Sequence, residues 1–119
     1  MSYGNITIIL PTKNHENKIV ENILTLERFL EDKYLEYQIL IMSNGSTMDN
    51  KKLLESIKHE KGYIEIHYLD KTGKGNAIKE GITLSKYNHI LIFDSDFSYN
   101  IALLDKFYNN SLPKASFIY

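Results

Sequence analysis

The sequence has no cysteine, no tryptophan and only two prolines, and no apolar run approaches the ~20 residues a helix needs to cross a bilayer. Each absence removes a class of explanation. Without cysteine there is no disulfide framework, no thiolate metal site and no thiol nucleophile, which suits the cytoplasm. The N-terminus lacks the charged and apolar pattern of a secretory leader. A membrane could therefore be met only at its surface, as a peripheral contact on the cytoplasmic face. Neither sign of charge dominates, with 14 Lys and Arg against 15 Asp and Glu and a formal net charge of -1. That balance argues against a protein whose task is to coat a nucleic-acid backbone.

What is present is 119 residues, enough for one domain with a modest core and too few for two. Short apolar runs alternate with segments of helical period, the pattern of βαβ units around a mainly parallel sheet. The fold class expected is α/β, a Rossmann-like three-layer sandwich. "ITIIL" (6–10) reads as a strand ended by Pro11, which has no amide hydrogen for a ladder. "ENKIVENILTLERFLEDK" then sets Ile19, Ile23, Leu26 and Leu30, with Val20 and Leu24 beside them, on one helical stripe. "YQILIM" (37–42) is a second strand, followed by "SNGSTMDN" and a helix with Leu53, Leu54 and Ile57 inward, capped by Ser46 or Thr47.

"YIEIHYL" (63–69) alternates Ile64, Ile66 and Tyr68 with Glu65 and His67, as an edge strand with one wetter face does. The glycine-bearing loop "DKTGKGN" leads to a helix through Ala77, Ile78, Ile82 and Leu84. "HILIF" (89–93) is a buried fourth strand, "NIALLDKFY" a short helix and "ASFIY" a fifth strand. Ligands of open parallel sheets bind beyond the carboxyl ends of the strands. Three polar stretches, "PTKNHE", "SNGSTMD" and "DSD", each follow a strand and so share that edge.

Asp94 and Asp96 flank one serine at the end of the fourth strand. Two ionised carboxylates this close repel each other, and a divalent cation with a taste for oxygen relieves the repulsion. On spacing alone, a strand end followed by a helix cap explains the pair equally well. Gly73, Lys74 and Gly75 offer close backbone approach and one cation to a phosphate, but match neither the P-loop nor the dinucleotide fingerprint. An ordinary connection into a helix stays open there. Asn44-Gly45 is a strong turn pair, and His59, His67 and His89 have no metal-ligand spacing.

In their order, "ITIILPTKNHE", "ILIMSNGSTMD", "KTGKGNAIKEGITLS" and "ILIFDSD" resemble the nucleotide-binding half of family 2 glycosyltransferases, which have the GT-A fold, and within them the polyprenyl-phosphate mannosyl- and glucosyltransferases. The resemblance implies that Pro11, Thr12 and Asn14 line the base and ribose pocket and that Ser43 and Asn44 meet the base. Gly73, Lys74 and Gly75 then lie near the diphosphate. Asp94 faces the ribose or metal, and Asp96 holds Mg2+ or Mn2+ bridging the diphosphate of a UDP- or GDP-linked sugar. The implied activity is inverting transfer of that sugar to a lipid-phosphate or glycan acceptor.

Three departures qualify the resemblance. Ser43 and Asn44 stand where the family usually has two aspartates. His15 stands where a glutamate is common, with Glu16 adjacent to substitute in part. The sequence also stops at Tyr119, before the acceptor-binding half that relatives carry. The expectation is thus a single donor-binding domain over 1–119, either a truncated piece of a longer chain or completed by a partner chain or a homo-oligomer. The alternative is a non-catalytic binding or interaction module. Another small Rossmann-like nucleotide binder is a third reading, disfavoured because the glycine loop follows the third strand.

Overall fold

A computed structural model describes residues 4–14, 16–33, 36–45, 47–58, 63–70 and 73–93, with Lys58 and Lys74 described by their backbone alone. The described chain alternates strand and helix throughout: β1 (Asn5–Thr12), α1 (Glu16–Lys33), β2 (Glu36–Ser43), α2 (Met48–Lys58), β3 (Ile64–Tyr68), α3 (Lys74–Leu84) and β4 (Ile90–Ile92). The strands form one parallel sheet in the order β3-β2-β1-β4. It is an α/β, Rossmann-like sandwich. The short helix read over "NIALLDKFY", the fifth strand "ASFIY", and His15, Ser46, His59, Asp94 and Asp96 lie outside the described residues.

The two sheet faces are apolar for different neighbours. Ile6, Ile8 and Leu10 of β1 and Ile39 and Ile41 of β2 pack with Ile19, Ile23, Leu26 and Leu30 of α1 and with Leu54 and Ile57 of α2. The alternate residues Ile9, Leu40, Met42, Ile90 and Ile92 pack with Ala77 of α3 and half-buried Ile78. Residues two apart along a strand share a face, so continuous apolar runs in β1 and β2 are what a sheet covered on both sides requires. Right-handed crossovers place α1 and α2 on one face, and the return from β3 past β2 and β1 to β4 carries α3 over the other. At Gly81 α3 comes so close to β1 that a Cβ would stand 2.8 Å from Ile9 Cγ2.

The helical stripes are narrower than the sequence suggests. Val20 and Leu24 of α1, Leu53 of α2, and Ile82 and Leu84 of α3 are exposed, against the expectation that they face inward. A helix over a sheet buries one row and its immediate flank, and apolar residues a further 100° round the axis face solvent. β3 is the edge strand its alternation implies, with Ile64 and Ile66 buried and Glu65 and His67 half-buried.

Buried polar groups on the α3 face meet one another. The Thr7 hydroxyl donates to Gln38 Oε1 at 2.9 Å, and Gln38 Nε2 donates to Glu65 Oε2 at 2.7 Å and to the Leu84 carbonyl at 3.2 Å. The Lys86 amide donates to Gln38 Oε1 at 2.9 Å. One glutamine side chain thereby joins β1, β2, β3 and the turn after α3.

Candidate functional site

The order β3-β2-β1-β4 has its reversal at β1, since the chain first builds outward through β2 and β3 and then returns to the opposite side of β1. In such sheets the crevice for a ligand opens beyond the carboxyl ends at that reversal. Here it falls between β1 and β4. Pro11 sits at this point. β1 runs through it to Thr12, where the sequence suggests an end at Pro11. The Phe93 amide donates to the Ile9 carbonyl at 3.0 Å, on the β4 side, while the Thr12 carbonyl accepts from the Asn44 amide at 2.9 Å, on the β2 side. Strand polar groups alternate sides, so the hydrogen-free nitrogen of Pro11 falls on the β4 side. The described ladder between β1 and β4 ends at Ile9 and Ile92. Proline thus offers no donor on the crevice side while β2 stays paired with β1 on the other.

Thr12 and Ser43 are register partners, as are Ser43 and Tyr68, so these three residues form a row across the strand ends on the face that carries α1 and α2. Thr12 is 2 % exposed and Ser43 0 %, and neither hydroxyl oxygen has a hydrogen-bond partner among the described residues. Leaving such a group buried and unpaired costs about 1–3 kcal/mol. Buried polar groups are nearly always paired, so two such hydroxyls in one row mark it as a candidate polar site. Glu16, the first residue of α1, is fully buried at a helix end whose dipole favours negative charge. Asn44 is buried beside them, at 5 % exposure.

The Tyr68 hydroxyl is driven above its ordinary range by burial, by its 2.6 Å hydrogen bond to Glu55 and by the charges of Glu55 and Glu16. The Lys51 ammonium lies 5.6 Å from the Tyr68 ring centroid. Met48, Lys51, Lys52, Glu55 and Tyr68 line a cleft of about 370 Å³ beside the edge.

Asn14 has a left-handed φ of 61°. Its Oδ1 accepts from the Thr47 amide at 2.9 Å and from Asn50 Nδ2 at 3.3 Å. Thr47 is the cap of α2, its hydroxyl accepting from the Asn50 amide at 3.4 Å and from Asn50 Nδ2 at 2.8 Å. Gly73 caps α3 with φ 117° and ψ 136°, a backbone that favours glycine. The helix begins at Lys74, inside the stretch the sequence suggests is a loop, so Gly75 belongs to its first turn. Among the described residues, a Cβ at Gly75 would meet nothing within 4 Å.

Pro11, Thr12, Asn14, Glu16, Ser43 and Asn44 therefore gather at the ends of β1 and β2, with the start of α3 at the same edge of the sheet. The described chain reaches this edge again at Phe93, whose covalent successor is Asp94. Among the described residues no group of three or more His, Asp or Glu could hold a metal ion. The Asn14-Thr47-Asn50 ring and the Tyr68-Glu55-Lys51 cluster were not legible beforehand. Their members are unremarkable turn, helix and strand residues, brought together only by tertiary structure.

A sequence profile of the family described as "Glycosyl transferase family 2" matches residues 7–111. The chain belongs to glycosyltransferase family 2. Its relatives include the poly-beta-1,6-N-acetyl-D-glucosamine synthases of Staphylococcus aureus strain COL, 31% identical over 91 residues, and strain MSSA476, 30% identical over 91 residues. The corresponding synthase of Staphylococcus epidermidis is 28% identical over 91 residues. Each match covers 76% of this chain and 21% of the relative, so the chain spans about a fifth of the length of these curated relatives. Family 2 members generally use nucleotide-sugar donors and divalent metals. No described helix is long and apolar enough to cross a membrane.

Proposed function

We propose that residues 1–119 are a donor-binding domain that holds a nucleotide-diphosphate sugar and a divalent cation for transfer of the sugar to an acceptor. The observation that carries this reading is the strand-order reversal between β1 and β4. There, in a family 2 chain, Pro11 offers no amide hydrogen on the β4 side, the described ladder ends at Ile9 and Ile92, and the acidic pair Asp94 and Asp96 follows β4 in sequence.

In this reading Pro11, Thr12, Asn14 and Glu16 border the nucleoside, with Ser43 and Asn44 at the base. Gly73, Lys74 and Gly75 attend the diphosphate. The open space over Gly75 and the positive end of the α3 dipole suit an anionic group. Asp94 and Asp96 supply hard oxygen donors of the kind Mg2+ or Mn2+ takes together with phosphate oxygens. The cation, when bound, offsets the charge that develops on the departing nucleoside diphosphate. Ser43 is neutral and buried, so recognition of the base rests on hydrogen bonds without a carboxylate. That observation favours a second reading, a binding module without turnover.

The likeness to poly-beta-1,6-N-acetyl-D-glucosamine synthases supports a growing glycan as acceptor and N-acetylglucosamine as the first sugar to test. A polyprenyl phosphate is the other acceptor to include, and contact with a membrane surface would accompany it. The test is incubation with UDP- and GDP-linked sugars, Mn2+ and each acceptor. Metal-dependent release of nucleoside diphosphate that disappears in Asp96→Ala supports transfer. Metal-dependent nucleotide binding without release supports the binding module, and release that ignores both metal and Asp96 contradicts both readings.

A further inference from the structure

We infer that Asn14 is a positioning residue: it locks the β1–α1 turn to the start of α2, and the lock fixes the edge on which the nucleotide sits. The inference rests on the donor-site reading above. Asn14 is the one non-glycine residue with a positive φ among those described. Asparagine tolerates this conformation better than most side chains, but the backbone keeps it only where surrounding contacts enforce it. Those contacts come from residues 33 and 36 positions away in sequence, the Thr47 amide and Asn50 Nδ2. Asn50 also reaches the Thr47 hydroxyl, so Asn14, Thr47 and Asn50 form a closed ring of hydrogen bonds.

Two features separate positioning from mere stabilisation. All these bonds are exposed to solvent, where water competes and the net gain in folding is small. They nevertheless join the two turns that follow Thr12 and Ser43, the strand ends whose buried hydroxyls have no partner among the described residues. Asn14 Oδ1 is committed to α2, so the residue acts on a ligand through the turns it holds. Freed from the ring, the two turns move separately, and a nucleotide that spans them must order both on binding.

The experiment pairs amide hydrogen exchange at Thr47 with calorimetric titration of UDP and GDP in Mn2+, on the whole chain. Asn14→Gly keeps the positive φ and removes the acceptor, Asn14→Asp returns an acceptor, and Asn50→Ala breaks the ring from the other side. We expect Asn14→Gly to raise Thr47 exchange and to weaken nucleotide binding by about tenfold each, with little change in melting temperature. Asn50→Ala should weaken binding in the same direction, and Asn14→Asp should recover much of what Asn14→Gly loses. Wild-type binding that persists unchanged in both Asn14→Gly and Asn50→Ala overturns the inference alone. A wild-type chain that binds neither nucleotide overturns the donor-site reading and the inference with it. Affinity lost only in proportion to a lower melting temperature would mean a structural role, and also overturns it.

Discussion

Single residues in this chain are fixed by contacts of very different cost. Gly81 gives α3 its close approach to β1, and a methyl group there would press on the branched, stiff side chain of Ile9. Alanine favours a helix over glycine by about 1 kcal/mol, whereas overpacking costs about 1–3 kcal/mol. Gly81→Ala is therefore expected to destabilise the chain by roughly 1 kcal/mol net, read from urea unfolding, where propensity alone predicts a gain. Gln38 is held from four sides, and Gln38→Leu leaves the Thr7 hydroxyl and the Lys86 amide without their acceptor. A loss of about 2–3 kcal/mol is expected, measured the same way. The importance of Gln38 could not be read from sequence, because a lone glutamine in an apolar strand gives no sign of which strands and turns converge on it.

At the scale of elements, the caps and the edge strand make separable predictions. Thr47 caps α2, and Thr47→Ala is expected to cost about 1 kcal/mol of stability in the same unfolding measurement. On β3, burial raises the Glu65 carboxyl, but the hydrogen bonds from Gln38 and His67 and the nearby charges of His67 and Lys86 outweigh it, leaving Glu65 below its ordinary range. A carboxyl lowered in the folded state adds stability that is complete above its unfolded value. That contribution fades as acid drives the pH through the lower folded value. The stability difference between the wild type and Glu65→Gln should therefore be steady near neutrality and shrink below about pH 4.5, the ordinary glutamate value. A difference that grows in acid would show that the hydrogen bonds do not favour the ionised form.

Much of this element level was legible in advance. Continuous apolar runs marked β1 and β2 as strands, and the alternation of β3 marked it as an edge, because sheet burial has a strict period of two. The helices were less legible. Val20, Leu24, Leu53, Ile82 and Leu84 fit an apolar stripe in sequence, but how far a stripe extends into contact depends on the curvature and neighbours of the sheet beneath. The start of α3 was misread because Gly73 ends the loop by its backbone angle, which the letters "TGKGN" do not reveal.

For the whole molecule, the sheet order turns scattered strand-end residues into one edge. The sequence already suggested that Thr12, Ser43 and the Asp94-Asp96 pair belong to the same rim, since each lies in a polar stretch that follows a strand. It could not reveal that the reversal lies between β1 and β4, nor that Thr12 and Ser43 are register partners whose buried hydroxyls have no hydrogen-bond partner among the described residues. Those depend on which strands pair. The family match and the likeness to glycan synthases bear on glycosyl transfer in general, and the donor site is the claim on which any acceptor assignment rests.

The measurement that tests it most directly is calorimetric titration of UDP and GDP into the chain, with and without Mn2+, repeated on Asp96→Ala. The account predicts saturable binding of one nucleotide that requires Mn2+ and is lost in Asp96→Ala. Absence of binding at millimolar nucleotide, or binding indifferent to both the cation and Asp96, would contradict it.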